Sequence, residues 1–210
     1  DRFVAASPGA GFAETARYQN LKPENYPPAY EQLLWGVYDV PGYTRNLFNL
    51  PFVAYSGELD KQIQAARVME EAFQAEGRTL PHLIGPGMGH KYHPETLKEL
   101  LAQLGQAASV GRPSAPQQMW LQSKHPRYNR RQWLTVDGMQ QQYTDTRVDA
   151  RLVDQQWEFE SRNVSRLELN LADPNAPREQ FKIDGQTIAV LPNTRQLKLS
   201  RIADRWQQAE

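Results

Sequence analysis

Asp60 and His90 are the residues of this chain whose types and setting suit proton-transfer chemistry. Asp60 closes the run Gly57-Glu58-Leu59-Asp60, directly behind a short apolar segment over residues 51–56. His90 closes Gly85-Pro86-Gly87-Met88-Gly89-His90, directly behind a second apolar segment over residues 80–84 and thirty residues past Asp60. An imidazole in such a loop takes a proton from a hydroxyl nucleophile and hands it on. A carboxylate beside it fixes its tautomer and stabilises the imidazolium that forms. Each residue also has a plain structural reading. Asp60 suits the N-cap of a helix beginning near Lys61, and His90 suits a packed loop whose glycines allow a sharp path. Glu58 competes for the role of acid, but the period-two geometry of the preceding strand and the cap position favour Asp60.

The pair lacks a nucleophile. An elbow serine needs glycines two residues to either side of it. Neither Ser7, in Ala5-Ala6-Ser7-Pro8-Gly9, nor Ser56, in Ala54-Tyr55-Ser56-Gly57-Glu58, has both. A catalytic serine is therefore expected upstream of residue 1, and this chain alone is expected to be inactive. The remaining histidines read as structural: His82 within a strand, His125 ahead of Pro126, and His93 as support for the His90 loop. The spacing of His90 and His93 offers no third ligand, and Pro94 limits helix before it, so neither a metal nor a cofactor site is expected.

The elements that must position Asp60 and His90 follow from periodicity. A strand is expected at residues 3–6, an irregular Pro-rich stretch over 14–30, and a helix over 30–38. A strand at 51–56 leads to a helix at 62–76, with Ile63, Ala66, Val68, Met69, Ala72 and Phe73 on its apolar face. A strand at 80–84 leads to a helix at 94–108 with Leu97, Leu100, Leu101 and Leu104 inward. Strand and helix alternating at this spacing indicate an α/β class with an open parallel sheet and flanking helices. Such sheets present functional groups on loops beyond the carboxyl ends of their strands.

Beyond a linker at residues 111–116 the period becomes two. Seven short strands are expected, at 118–121, 132–136, 147–153, 156–160, 166–171, 181–183 and 187–190, separated by turn signals such as Asp137-Gly138 and Asp184-Gly185. Residues 117–210 thus read as a small antiparallel β-sandwich domain behind a first domain over residues 1–110. The tryptophans at 35, 120, 133, 157 and 206 read as core packing rather than a sugar-stacking platform.

Composition narrows the function classes. Among 210 residues, Lys+Arg and Asp+Glu number 24 each, so net charge gives no reason to expect nucleic acid or an anionic membrane as partner. Hydrophobic residues make up 40%, enough for a core, and the absence of cysteine excludes disulfides and thiolate chemistry. A mean hydropathy of −0.72, without a long apolar run, argues against a membrane-spanning helix. The opening residues carry no basic leader before a long apolar stretch. The chain opens almost directly in a strand, which reads as a fragment or a processed product.

An acid after one strand and a histidine after the next is the chain order of the last two triad members in an α/β-hydrolase. Larger motifs point the same way: Gly9-Ala10-Gly11-Phe12-Ala13-Glu14-Thr15, Asn46-Leu47-Phe48-Asn49-Leu50-Pro51, Tyr55-Ser56-Gly57-Glu58-Leu59-Asp60 and Ile84-Gly85-Pro86-Gly87-Met88-Gly89-His90-Lys91-Tyr92-His93-Pro94. With Asp1-Arg2-Phe3, they resemble the C-terminal half of the catalytic domain of bacterial prolyl oligopeptidase-like serine hydrolases. The resemblance extends into the second domain through Arg127-Tyr128-Asn129, Trp133, Arg147-Val148-Asp149-Ala150, Asn163-Val164 and Ile183-Asp184-Gly185-Gln186. It implies a partial α/β-hydrolase sheet with a β-rich tail, Asp60 as triad acid, His90 as triad base, and a serine elbow roughly twenty residues upstream of residue 1.

The substrate class implied is a peptide or an ester, acylated carbohydrates included. The missing N-terminal half, or a second copy of the chain, is the expected protein partner. An extracellular or periplasmic location is favoured. The competing reading is a non-catalytic carbohydrate- or protein-binding module in which Asp60 only caps a helix and His90 only packs a loop.

Overall fold

The computed structural model describes residues 3–9 and 11–209, so Asp1, Arg2 and Ala10 of the motifs above lie outside the described residues. The chain divides into two compact units with the boundary between Arg112 and Pro113.

In the first unit β1 (Ala54–Gly57) and β2 (His82–Gly85) pair in parallel, with Ala54 opposite His82 and Gly57 opposite Gly85. Where a strand is expected over 3–6, only isolated parallel bridges form, Ala6 to Phe52 and Gly9 to Tyr55. Pro8 lacks an amide proton, so this segment pairs through scattered bonds such as Val53 N–H to the Ala6 carbonyl and Tyr55 N–H to the Pro8 carbonyl. The result is a small parallel sheet covered on both faces. Ala54 turns to α3 (Ile63–Ala75), joining Ala65, Val68, Met69, Phe73 and Leu80 in one cluster. Val53 and Tyr55 turn the other way, to Leu100 of α4 (Pro94–Val110), with Leu83, Leu97 and Leu104 beside it. One-residue alternation along the strand thus serves two helices, as expected of a strand buried on both sides.

Three local expectations are corrected. Leu101 lies 58% exposed, because the stripe that reaches the sheet is the narrower one through Leu97, Leu100 and Leu104. The helix read over 30–38 is α2 (Ala29–Trp35) and stops early, its last turn tightening into three-residue bonds at Gly36 and Val37. Within the Pro-rich stretch the single turn α1 (Thr15–Tyr18) forms. After α2 a 3-10 helix spans Val40–Asn49, where no element is expected from periodicity. Asp39 ties these pieces together by accepting both the amide and the hydroxyl of Thr15.

Among its described residues the second unit holds ten strands: β3 (Gln118–Ser123), β4 (Arg130–Arg131), β5 (Leu134–Met139), β6 (Thr146–Val153), β7 (Gln156–Arg162), β8 (Val164–Asn170), β9 (Gln180–Ile183), β10 (Gln186–Ala189), β11 (Gln196–Ile202) and β12 (Arg205–Ala209). They form two five-stranded sheets, ordered β10-β9-β7-β6-β3 and β12-β11-β8-β5-β4. Every pairing is antiparallel except that of β7 with β9. One hydrophobic cluster draws alternate residues from both sheets, including Met119, Val148, Phe159 and Phe181 from the first and Leu134, Leu167, Leu199 and Trp206 from the second. This is a sandwich-like, β-rich unit. The seven expected strands correspond to β3 and β5–β10, each bound within three residues of its reading. β4, β11 and β12 are additional. β11 and β12 are joined through Ala203 and Asp204 at φ +47° and +61°, a hairpin geometry usually signalled by Asn or Gly.

No helix among the described residues is long and apolar enough to cross a membrane.

Candidate functional site

Because β1 and β2 run parallel in register, the loops that follow them leave the same end of the sheet, and Gly57 stands beside Gly85. The two loops are then stitched together. Glu58 N–H donates to the Gly85 carbonyl at 3.0 Å and Leu59 N–H to the Met88 carbonyl at 2.8 Å. The Glu58 carboxylate accepts Gly87 N–H at 2.7 Å. Gly57 permits this closeness: a Cβ there would lie 2.1 Å from the Gly89 oxygen and 2.5 Å from that of Met88. Glu58, the competing acid, is therefore a clamp on the histidine loop.

The stitched loops bring Asp60 and His90 together, His90 Nδ1 standing 3.0 Å from Asp60 Oδ2. The other carboxylate oxygen accepts Gln62 N–H at 2.9 Å. The expected N-cap role is corrected: α3 begins at Ile63 with Gln62 as its N-cap residue and no side-chain cap bond, so Asp60 instead closes a turn two residues long just before the helix while it holds the imidazole. The Asp60 side chain is 7% exposed and the His90 side chain 68%. A buried acceptor thus holds one ring nitrogen of an otherwise open imidazole. The carboxylate contact places the ring proton on Nδ1 and leaves Nε2 as the end that can accept one from outside.

Tyr55 anchors the far side of the His90 loop. Its hydroxyl accepts His93 N–H at 2.7 Å and donates to the Lys91 carbonyl at 3.1 Å, while its ring packs on Tyr92 with centroids 4.4 Å apart. A Cβ at Gly85 would meet that hydroxyl at 2.2 Å. His93 caps α4 by accepting Thr96 N–H at 3.5 Å. Sequence reasoning misses the part played by Tyr55, since a tyrosine in a buried strand carries no signal of where its hydroxyl goes.

His82 stands in a second histidine array. Its Nε2 lies 2.9 Å from Ser56 Oγ and its Nδ1 2.8 Å from Glu70 Oε1. The residue types match a hydrolytic triad, but the His82 side chain is 3% exposed and Ser56 is 2% exposed, which leaves no path for a substrate. The array is a buried tie between β1, β2 and α3. Burial opposes ionisation of Glu70, yet hydrogen bonds from Arg67 and His82 outweigh it and hold the carboxyl below its ordinary value.

The other singled-out residues fall to structural roles. His125 accepts Arg127 N–H at the start of the 3-10 turn Pro126–Tyr128. Trp133, Trp157 and Trp206 are buried in the β-rich unit, while Trp35 and Trp120 are half-buried. The Asn163 amide nitrogen donates to the Gln141 carbonyl and Thr146 Oγ1. Among the described residues no group of three or more His, Asp or Glu is arranged to hold a metal ion. No family model matches the chain, and neither curated proteins nor solved structures yield a match.

Proposed function

We propose that residues 1–110 are the C-terminal part of an α/β-hydrolase catalytic domain, resembling that of prolyl oligopeptidase-like serine hydrolases, with residues 117–210 as its β-rich tail. The observation that carries the reading is the His90 Nδ1 to Asp60 Oδ2 contact at 3.0 Å, made by loops at one end of a parallel sheet. In the intact enzyme a serine upstream of this chain adds its oxygen to an ester or amide carbonyl, and its proton passes to His90 Nε2. The resulting imidazolium is stabilised by Asp60. It returns the proton to the departing alcohol or amine as the carbonyl–heteroatom bond breaks, leaving an acyl-serine. Water then attacks with His90 again as base, releasing the acid and restoring the serine. The protein partner in this reading is the half of the sheet that carries the serine. The open edge at residues 3–9 and the exposed Phe3 and Phe12 support it.

One observation favours the second reading, a non-catalytic binding module: the bond from Gln62 N–H to Asp60 gives the carboxylate a sufficient structural role. A fluorophosphonate probe applied to the protein from its source separates the two. Labelling of a serine on a polypeptide that contains or tightly binds this chain, abolished by His90→Ala in a folded protein, is the expected result. A folded protein that takes no label, or labels equally well without the imidazole, overturns the hydrolase reading.

A further inference from the structure

α2 is a helix of seven residues, none of them buried. So short a helix is marginal in water and is held by the packing of an apolar face. Here that face is open. Tyr30, Leu33 and Leu34 share one helical stripe, continued by Tyr38, whose N–H donates to the Trp35 carbonyl at 2.9 Å. Tyr30 is 66% exposed, Tyr38 is 74% exposed, and both leucines are half-exposed. Exposed Tyr26 widens the stripe. Its ring meets Trp35 edge-on with centroids 5.3 Å apart, and Gln32 Nε2 donates to the Pro27 carbonyl at 2.8 Å, so residues 26–28 run back along the helix. Scaled by these exposures, the tyrosines and leucines offer roughly 500 Å² of apolar side chain, at the upper end for a patch on a monomer. Two such faces brought together bury about 1,000 Å², the size at which a specific interface begins.

The charges at the rim say which partner fits. The Tyr26–Trp35 contact and the 3-10 turn before it set exposed Lys22 towards the carboxyl end of α2, while exposed Glu31 lies in its first turn. Neither side chain has an ion-pair partner among the described residues. A two-fold axis through the patch runs α2 antiparallel to its copy, which brings Lys22 of each chain towards Glu31 of the other. Exposed Glu24 gives the rim one more negative than positive charge, which disfavours an anionic membrane. We propose that this face is the docking site of a second copy of the chain, α2 against α2 about a two-fold axis. The pairing stands whether or not the chain is part of a hydrolase.

Sedimentation equilibrium of the chain over about 1–200 μM tests it. The mean mass is expected to climb from 24.1 kDa towards that of two copies. Leu33→Glu, at an exposed position that the fold tolerates, is expected to raise the dissociation constant by at least about tenfold. Lys22→Glu weakens the pairing severalfold, and adding Glu31→Lys to it restores the parent value. Leu101→Glu, at an equally exposed leucine of α4, leaves it unchanged. The proposal is overturned if the chain stays single across this range, whether or not it then binds anionic vesicles. It is also overturned if the dimer survives Leu33→Glu, as one formed through the open edge at residues 3–9 would, if Leu101→Glu weakens it as much, or if the double charge reversal restores nothing.

Discussion

An alanine at position 57 tests whether close backbone approach holds the Asp60–His90 pair together. Its Cβ would sit 2.1 Å from the Gly89 oxygen, 2.5 Å from the Met88 oxygen and 2.9 Å from the Met88 carbonyl carbon. All three are backbone atoms, so no side-chain rotation relieves the overlap. Restoring an ordinary carbon–oxygen separation of about 3.3 Å requires the His90 loop to retreat by about 1.2 Å. Moving as a body, the loop stretches both the Leu59 N–H to Met88 carbonyl bond, now 2.8 Å, and the His90–Asp60 contact, now 3.0 Å. Both end near 4 Å, outside hydrogen-bonding range. Overpacking of this kind costs about 1–3 kcal/mol and the lost backbone bond about 1 more, so Gly57→Ala is expected to destabilise the first unit by about 2–4 kcal/mol. Urea unfolding followed on the amide resonances of β1 and β2 measures this. The nitrogen resonances of His90 report the loss of the Nδ1 contact. Gly89→Ala is the control, since a Cβ there meets nothing within 4 Å and Gly89 does not have positive φ, so its cost is expected to stay below about 0.5 kcal/mol. In the intact hydrolase proposed above, the same displacement slows fluorophosphonate labelling by about a hundredfold. If Gly57→Ala leaves stability and the His90 resonances unchanged, or if Gly89→Ala costs as much, the close-approach argument is wrong.

Two further substitutions probe the elements that carry the loops. Glu70 is held below its ordinary value in the folded chain, so its charge contributes stability above the unfolded carboxyl range, and this is lost as pH falls through the depressed folded value. Glu70→Gln, which keeps an acceptor for His82, is therefore expected to cost about 1 kcal/mol at neutral pH. Its deficit against the parent should shrink from about pH 5 downward, a trend that denaturant unfolding at a series of pH values checks. Tyr55→Phe strips the partners from His93 N–H and the Lys91 carbonyl, at an expected cost of about 1–3 kcal/mol. Faster hydrogen exchange at the His93 amide is the accompanying sign, and an unchanged rate would refute the anchoring role of Tyr55.

Much of the framework was legible in the linear pattern, because hydrophobic period and turn chemistry are local properties. The helices at 63–75 and 94–110, the strands before Asp60 and His90, and seven of the ten strands of the β-rich unit declare themselves in this way. Elements were missed where the local signal is weak or absent. The hairpin of β11 and β12 turns at Ala203-Asp204 without the residues that usually announce positive φ, and the 3-10 helix over 40–49 opens on Pro41-Gly42, a pair that signals a break rather than an element. The strand expected at 3–6 was weakened to bridges once its pairing ran into Pro8.

For the site, the sequence by itself determined which residues could act: an aspartate and a histidine, each placed just after a short apolar strand. Their separation in the chain leaves room for a helix and a strand but says nothing of distance in space. Only the tertiary structure decided that the two meet, because parallel register sets Gly57 beside Gly85 and the glycine backbone lets the second loop fall onto the first. His82 reads as structural in the sequence from its place within a strand, but only the tertiary structure shows that it has its own serine and glutamate and is sealed in the core while His90 is open to solvent. Burial and long-range contact are properties of the packed chain, and no local pattern of residue types contains them.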